Sequence, residues 1–339
     1  MKKPPEIIYL NSRTRKNLKR KGAQYCLSKR RKLKVLGFEY IKAPEVIDLY
    51  SPQNYHRTLS FLDEIEQRSS LNSVMLVFSE TERISAAALL LIFSRIELIT
   101  KRLAKTCIRI QSSTLNSAVK KAINMSGLVD MTLNRKPRHN KANWTLPIIK
   151  GTAEGEEFES VVDHIIENII ENCTAEMERK VGSAVSETVS NVKLHAYPSA
   201  DNDSNNKAWW LMCSEIEGSL YLAIYDSGVG IPKTIHKRSW ISDFIVNSAP
   251  HLVKAWTSHR DVDKINISME AGRTQTKEKK HGKGSKSIRA LVEETPDGKL
   301  WVFSNNGLYQ IDENSAIHLV EHESSILGTL VQWNIKIRD

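Results

Sequence analysis

The chain has 339 residues, 40% hydrophobic and 26% charged, which is enough for two ordinary globular domains, each with a core. No run approaches the roughly 18–20 uninterrupted apolar residues that span a bilayer, and no signal-type apolar stretch follows the lysine-rich start, so a cytoplasmic protein with no membrane partner is expected. The formal net charge is +10, yet residues 1–34 carry thirteen Lys or Arg against one acid, Glu6, so the remaining chain is close to neutral. A basic arm joined to a neutral body concentrates its field where phosphates can be met. From Arg13 to Lys34 the arm reads RTRKNLKRKGAQYCLSKRRKLK, two basic clusters around a less charged centre holding Tyr25, with no apolar face. Two readings fit it: a solvated tail, or a segment that neutralises the phosphates of nucleic acid or another polyanion in a salt-sensitive, sequence-blind way. The four cysteines, Cys26, Cys107, Cys173 and Cys213, are far apart and lack zinc-ligand spacing, so free thiols are expected.

Residues 71–79, LNSVMLVFS, form a short apolar run bounded by polar residues, which predicts a buried strand. An apolar helix follows over 84–103, then a strand over Thr106–Gln111 and a helical stretch from Leu115 to Met125, ended by Gly127-Leu128. That is a βαβα order. In this pattern the segment from Val35 to Val129 resembles the STAS domain, the anti-sigma-factor antagonist fold. Its acceptor loop corresponds to Ser85-Ala86-Ala87-Ala88-Leu89 here, with Ala87 where the phosphorylated hydroxyl would stand. The resemblance therefore implies a scaffold or docking role in place of regulation by phosphorylation. Residues 131–154 are polar and basic, with Pro137 and Pro147, and predict a linker between a domain over 35–130 and another over 155–339.

Phe158 to Asn172 has a helical apolar period, and a further helix is predicted from Met177 to His195, with Val181, Ala184, Val185, Thr188, Val189 and Val192 on one side. Within it Glu187, Asn191 and His195 recur every four residues and share a face, either a solvated stripe or one wall of a site. Two strand-like runs, Ala208–Ile216 and Ser219–Tyr225, lead into Asp226-Ser227-Gly228-Val229-Gly230-Ile231-Pro232. An acid at a strand end followed by alternating glycines lets backbone approach a ligand while the carboxylate accepts from an amine. About fifty residues follow, Lys233 to Lys280, with a helical piece around Trp240–Val246 and a charged stretch from Arg273 to Lys280. Then His281-Gly282-Lys283-Gly284-Ser285 opens a helix running to Glu294, which would expose N–H groups and the positive dipole end to phosphate. Last, Gly328-Thr329 begins a terminal strand, Leu330–Ile337.

In order and separation these four segments resemble the N, G1, G2 and G3 boxes of the GHKL ATPases, and SETVSNVKLHAYP is similar to the N box of anti-sigma-factor serine kinases. The fold class so implied is α/β and α+β: an N-terminal STAS-like βα domain, then a Bergerat-type α/β sandwich that binds ATP and Mg²⁺. The resemblance implies that Asp226 binds the adenine amine, with Gly228, Gly230 and Ile231 around base and ribose and Thr329 at the adenine edge. Asn191 would hold Mg²⁺, His195 would belong to the same nucleotide wall, and Glu187 would be the general base. Gly282, Lys283, Gly284 and Ser285 would meet the phosphates, and Ser285 would either add a hydroxyl there or cap the helix. The segment Lys233–Lys280 would be a long ATP lid, with Arg273, Lys279 and Lys280 in reach of the γ-phosphate. The expected function is an ATP-binding regulatory protein, a Mg-dependent ATPase switch acting on a protein partner, with a homodimer open. The alternatives are a protein serine kinase acting on a separate substrate, and a nucleic-acid-binding module gated by ATP. A bacterial stress or phage-defence system would suit this set of parts.

Overall fold

The first half alternates short strands with helices: β1 (Lys34–Val35), β2 (Phe38–Lys42), β3 (Val46–Ile47), α1 (Pro52–Ser69), β4 (Val74–Val77), β5 (Arg83–Ile84), α2 (Ala86–Arg102), β6 (Ile108–Gln111), α3 (Ser117–Met125) and α4 (Leu128–Thr132). The structure is a computed structural model and describes residues 34–35, 37–103, 107–111, 116–136, 147–152, 157–170, 174–198, 207–274, 283–293, 295 and 297–337. The basic arm over residues 1–33, residues 137–146, 153 and 154 of the expected linker, and Lys279, Lys280 and Gly282 lie outside the described residues.

The small sheet has the order β1-β2-β4-β6, with β2, β4 and β6 parallel and β1 antiparallel at the edge. The βαβα order is present as β4, α2, β6 and α3. Helix α1 is an addition to the sequence reading. Its apolar residues Tyr55, Leu59, Leu62 and Ile65 follow a helical period but are diluted by charged neighbours, and Pro52 sits at its first turn behind the cap Ser51. Helix α2 is apolar on every side, and each residue from Ala87 to Ile96 is buried. A helix of that kind needs cover all round. Ala87 is fully buried, and the hydroxyl of Ser85 accepts from the Ala88 N–H as an N-cap, so the loop that would carry an acceptor is closed into the core.

The second half contributes β7 (Ile149–Thr152), α5 (Glu157–His164), α6 (Ala175–Asn191), β8 (Ala208–Ile216), β9 (Ser219–Asp226), α7 (Ile231–Thr234), α8 (Trp240–Asn247), α9 (Val253–Thr257), α10 (Asp261–Thr274), α11 (Lys283–Glu293), β10 (Lys299–Ser304), β11 (Gly307–Asp312), β12 (Ile317–Glu321) and β13 (Thr329–Lys336). Both α5 and α6 continue into a π-helical turn, Ile165–Ile169 and Val192–Ala196. The strands form a seven-stranded sheet, order β12-β11-β10-β13-β9-β8-β7, antiparallel at every pairing.

Alternate side chains of this sheet enter two different cores. Trp209, Leu211 and Cys213 of β8 pack with Leu222, Trp333 and residues of α5, α6, α10 and α11 on one face. Ala208, Trp210 and Met212 face the other way, into a core shared with α1, α2 and the small sheet. Strand β8 therefore reads as the unbroken run AWWLMC because both its faces are covered. Helix α2 lies between the two sheets, against β8 and β9. Polar contacts fix that seam: the Trp210 indole N–H donates to Glu97 at 2.5 Å, Lys150 reaches the other Glu97 oxygen at 3.2 Å, and the Tyr50 hydroxyl meets Gln332 Oε1 at 2.5 Å.

Two stretches differ from the sequence reading. Within the expected linker, Ile149–Thr152 is an edge strand paired with β8, and a Cβ on Gly151 would overlap the Trp209 ring. The segment expected as a lid loop is largely helical between Ile231 and Thr274, with its own small core of Ile235, Ile241, Phe244, Ile245, Leu252 and Ile267. Its last helix, α10, sends Ile265 and Met269 into the sheet core, and the Glu321 carboxylate accepts from the Asp261 and Val262 N–H groups at its start. Apolar residues at helical spacing in WISDFIV and DVDKINISM produce this packing, so a segment of this composition folds onto the body. Among the described residues no helix is long and apolar enough to cross a membrane.

Candidate functional site

A cavity of about 510 Å³ opens between α6, the turn after β9, the helical segment 231–274 and the start of α11. That volume lies in the range of small-molecule sites, about 300–1,000 Å³. The cavity brings together Glu187, Asn191, His195, Asp226, Gly230, Ile231, Ser285 and Thr329 from the sequence-predicted set. Its apolar floor is Ile224, Val302, Val331, Met269 and Ile288.

The strand register explains how residues a hundred positions apart meet. In β9 and β13, Asp226 is paired with Thr329; in β13 and β10, Thr329 is paired with Ser304. The row is tied by hydroxyls, since Ser304 Oγ lies 3.0 Å from Thr329 Oγ1 and accepts from the Ile231 N–H at 2.9 Å. The Asp226 carboxylate is buried and accepts from the backbone N–H groups of Gly228, at 2.8 Å, and Thr329. Burial pushes its pKa up to about 7 against those two hydrogen bonds, which favour the charged form. It is an acceptor held in place at the cavity wall with a proton affinity near neutral.

The glycines of the turn have distinct reasons to be glycine. Gly230 has φ of +86°, and a Cβ there would sit 2.6 Å from Asn305 Nδ2, which donates to the Val229 carbonyl at 3.0 Å. Gly228 packs against the end of the α6 π turn, where a Cβ would overlap the Ala196 carbonyl oxygen, and the Val229 N–H donates to that same oxygen at 2.8 Å. Tyr197, next along, donates its hydroxyl to the Ala208 carbonyl at 2.7 Å and accepts from the Ser227 N–H at 3.1 Å. The His-Ala-Tyr sequence thus clamps the glycine turn to the helix that bears Glu187 and Asn191.

Helix α6 is regular through Asn191 and widens into the π turn over Val192–Ala196, so the face carrying Glu187 and Asn191 reaches His195 through a changed helical pitch. The His195 imidazole is half-buried; burial first, and the charge of Arg238 second, hold its pKa below the usual histidine value. Ser285 lies inside α11, three residues into the helix, so it is not its cap. Its hydroxyl donates to the Ser268 carbonyl at 2.8 Å and ties α11 to α10. Lys283 and Gly284 begin α11, and the Lys283 and Arg273 side chains, like Gly282, fall outside the described residues.

Sequence reasoning passed over several members of this site. Ser304, Asn305 and Tyr197 hold the glycine turn, Arg238 and Trp240 line the cavity from the segment after it, and Thr188 and Ser190 line it from α6. The His-Ala-Tyr sequence is the one signal available for Tyr197; Arg238 sits in a basic His-Lys-Arg run that looks like solvated surface. Among the described residues no group of three or more His, Cys, Asp or Glu side chains is placed to hold a metal ion by itself. Chemically, the cavity offers an anchored carboxylate at one wall, a carboxylate and an amide on a helix at another, and a guanidinium beside the helix end. No family model matches this chain, and no curated protein matches it in sequence.

Proposed function

We propose that this cavity is an adenine-nucleotide site of the GHKL type, in a Bergerat-like arrangement, and that the chain is an ATP-binding regulatory protein working as a magnesium-dependent ATPase switch. The observation that carries the reading is the pairing of Asp226 with Thr329 at the rim of the one cavity that also receives Glu187 and Asn191. An exocyclic amine of adenine would donate to the ionised Asp226, and the Thr329 hydroxyl beside it has a spare lone pair or proton for the base edge. Gly230 carries the backbone along the cavity wall at a φ that favours glycine, with Asn305 packed where a Cβ would stand. The residues fit a magnesium ion held chiefly by phosphate and water, with Asn191 as the single protein ligand, because no cage of carboxylates is needed for that role. When bound with the nucleotide, the ion would neutralise triphosphate charge. Glu187, part-buried on the cavity side of α6, would orient and deprotonate an attacking water through one hydrogen bond.

The first half would then act as a STAS-like scaffold, since Ala87 is sealed in the core and offers no acceptor hydroxyl. A cytoplasmic location and a protein partner belong to the same reading. Calorimetry of ATP with magnesium on the folded chain tests it. Saturable heat is expected, abolished by Asp226→Asn, with phosphate release lost in Glu187→Gln while binding persists. Absence of heat from any adenine nucleotide, or an Asp226→Asn variant that binds as wild type does, would overturn it.

A further inference from the structure

Among the described residues Arg238 is a cation without a counter-ion. It follows the short 3₁₀ turn Ile235–Lys237, lines the cavity beside His195, Leu194 and Trp240, and is half-buried. Its Nε is buried with no hydrogen-bond partner, and among the described residues the guanidinium joins no ion pair. By contrast, the buried Arg289 is paired with Glu270 at 3.0 Å and Glu293 at 2.6 Å, and the buried Arg95 with Glu66 at 2.8 Å. Leaving a buried guanidinium nitrogen without an acceptor is unfavourable, so such a group persists where something outside the chain completes it. Burial lowers its pKa, while an arginine still remains charged at neutral pH. The two carboxylates that line the cavity belong to other walls: Asp226 is engaged by the Gly228 and Thr329 N–H groups, and Glu187 is on α6.

We propose that Arg238 is the phosphate anchor of this cavity, its planar guanidinium taking the anionic tail of the ligand on the side of the pocket formed by the helical segment 231–274. The assignment of that tail to a nucleotide rests on the adenine-site reading above; the anion site itself does not. A guanidinium offers a fork that fits two phosphate oxygens at once, which a lysine ammonium cannot match. His195, at the same end, has its pKa lowered by burial and by that positive charge, and one ring N–H can donate to an anion oxygen. The pocket then has two ends: Asp226 and Thr329 for a base, Arg238 and His195 for phosphate.

The test is calorimetry of three probes, ATP with magnesium, adenosine and inorganic tripolyphosphate, on the full chain and on Arg238→Gln, Arg238→Lys and Arg238→Met. The expected result for Arg238→Gln is a loss of about 10- to 100-fold in affinity for ATP and tripolyphosphate, the size of a charge-assisted hydrogen bond, with adenosine changed less than about threefold. Arg238→Lys should fall between, retaining charge without the fork. Arg238→Met should melt no lower than the ligand-free wild type, because it removes an unpaired charge, whereas a structural arginine would lower the melting temperature. ATP and adenosine weakened together, or neither weakened, would overturn the assignment. If tripolyphosphate binds in an Arg238-dependent way and adenosine does not bind, the anion site stands and the adenine reading fails. If the wild type takes none of the three probes, both fall.

Discussion

Asp226 is a buried acid whose ordinary pKa of 3.8 is raised to about 7, with burial outweighing two backbone donors. The folded protein therefore holds this proton more tightly than the unfolded chain does. The stability that this adds is complete below about pH 4 and is lost as pH rises through about 7. Between pH 5 and 8 the melting temperature of the ligand-free wild type should fall relative to Asp226→Asn, which has no proton to lose, by an amount equivalent to a few kcal/mol. Parallel pH profiles for the two proteins would show that the carboxylate is not held protonated. A ligand that donates an amine to Asp226 needs the ionised form, so ATP affinity should climb over the same interval and binding below pH 7 should release a proton. That release is measurable as a dependence of the calorimetric heat on the ionisation enthalpy of the buffer. Arg238 is invisible at this scale: one arginine in HKR carries no sign that it lines a cavity beside Trp240.

At the scale of elements, the clamp between the α6 π turn and the glycine turn is the feature on which the site geometry rests. Tyr197→Phe keeps the ring and removes one hydroxyl that serves both the Ala208 carbonyl and the Ser227 N–H. A loss of about 1–3 kcal/mol in unfolding free energy is expected from chemical denaturation, the cost of leaving partly buried backbone groups unmet. ATP affinity should drop with it, since the turn from Ser227 to Gly230 loses its tie; unchanged stability and affinity would mean the hydroxyl is idle. Much of this site could be read along the chain. The α6 stripe, the strand ending at Asp226 and the glycines after it are local patterns, and periodicity or turn chemistry reports them. What could not be read was register. The resemblance puts Thr329 in the same site as Asp226, but nothing near Asp226 indicates that Thr329 and then Ser304 are its row-mates, because antiparallel pairing joins strands far apart in the chain. Equally, Lys233–Lys280 reads as a long lid from its length between the two glycine segments; the small core within it becomes evident only once α8 and α10 lie together. The π turn at Val192–Ala196 continues the same apolar and polar alternation as the helix before it, so composition does not announce the change of pitch.

For the whole molecule, the shared core decides how the chain unfolds. Trp210, Met212, Tyr225 and Phe303 from the large sheet are buried with α2 and the small sheet, and each such side chain contributes roughly 1.5–3 kcal/mol when covered. Separating the halves would uncover all of them. Calorimetry should therefore record one cooperative transition for the two halves, and Glu97→Ala should lower it as a unit by about 1–3 kcal/mol, since Trp210 and Lys150 lose their common acceptor. Two resolved transitions, with only one moved by Glu97→Ala, would mean the halves are independent. The contact of Tyr55 with the loop before β13 extends that seam toward the cavity. Its ring stacks on His322 at 3.7 Å and its hydroxyl donates to the Ser324 carbonyl at 2.9 Å, while Tyr225 holds the Leu327 carbonyl at 2.8 Å. The peptide that ends at Gly328 and delivers Thr329 is thus gripped from beneath by α1. Mechanical load applied to the first half would pull on the rim of the pocket through a lever only a few residues long.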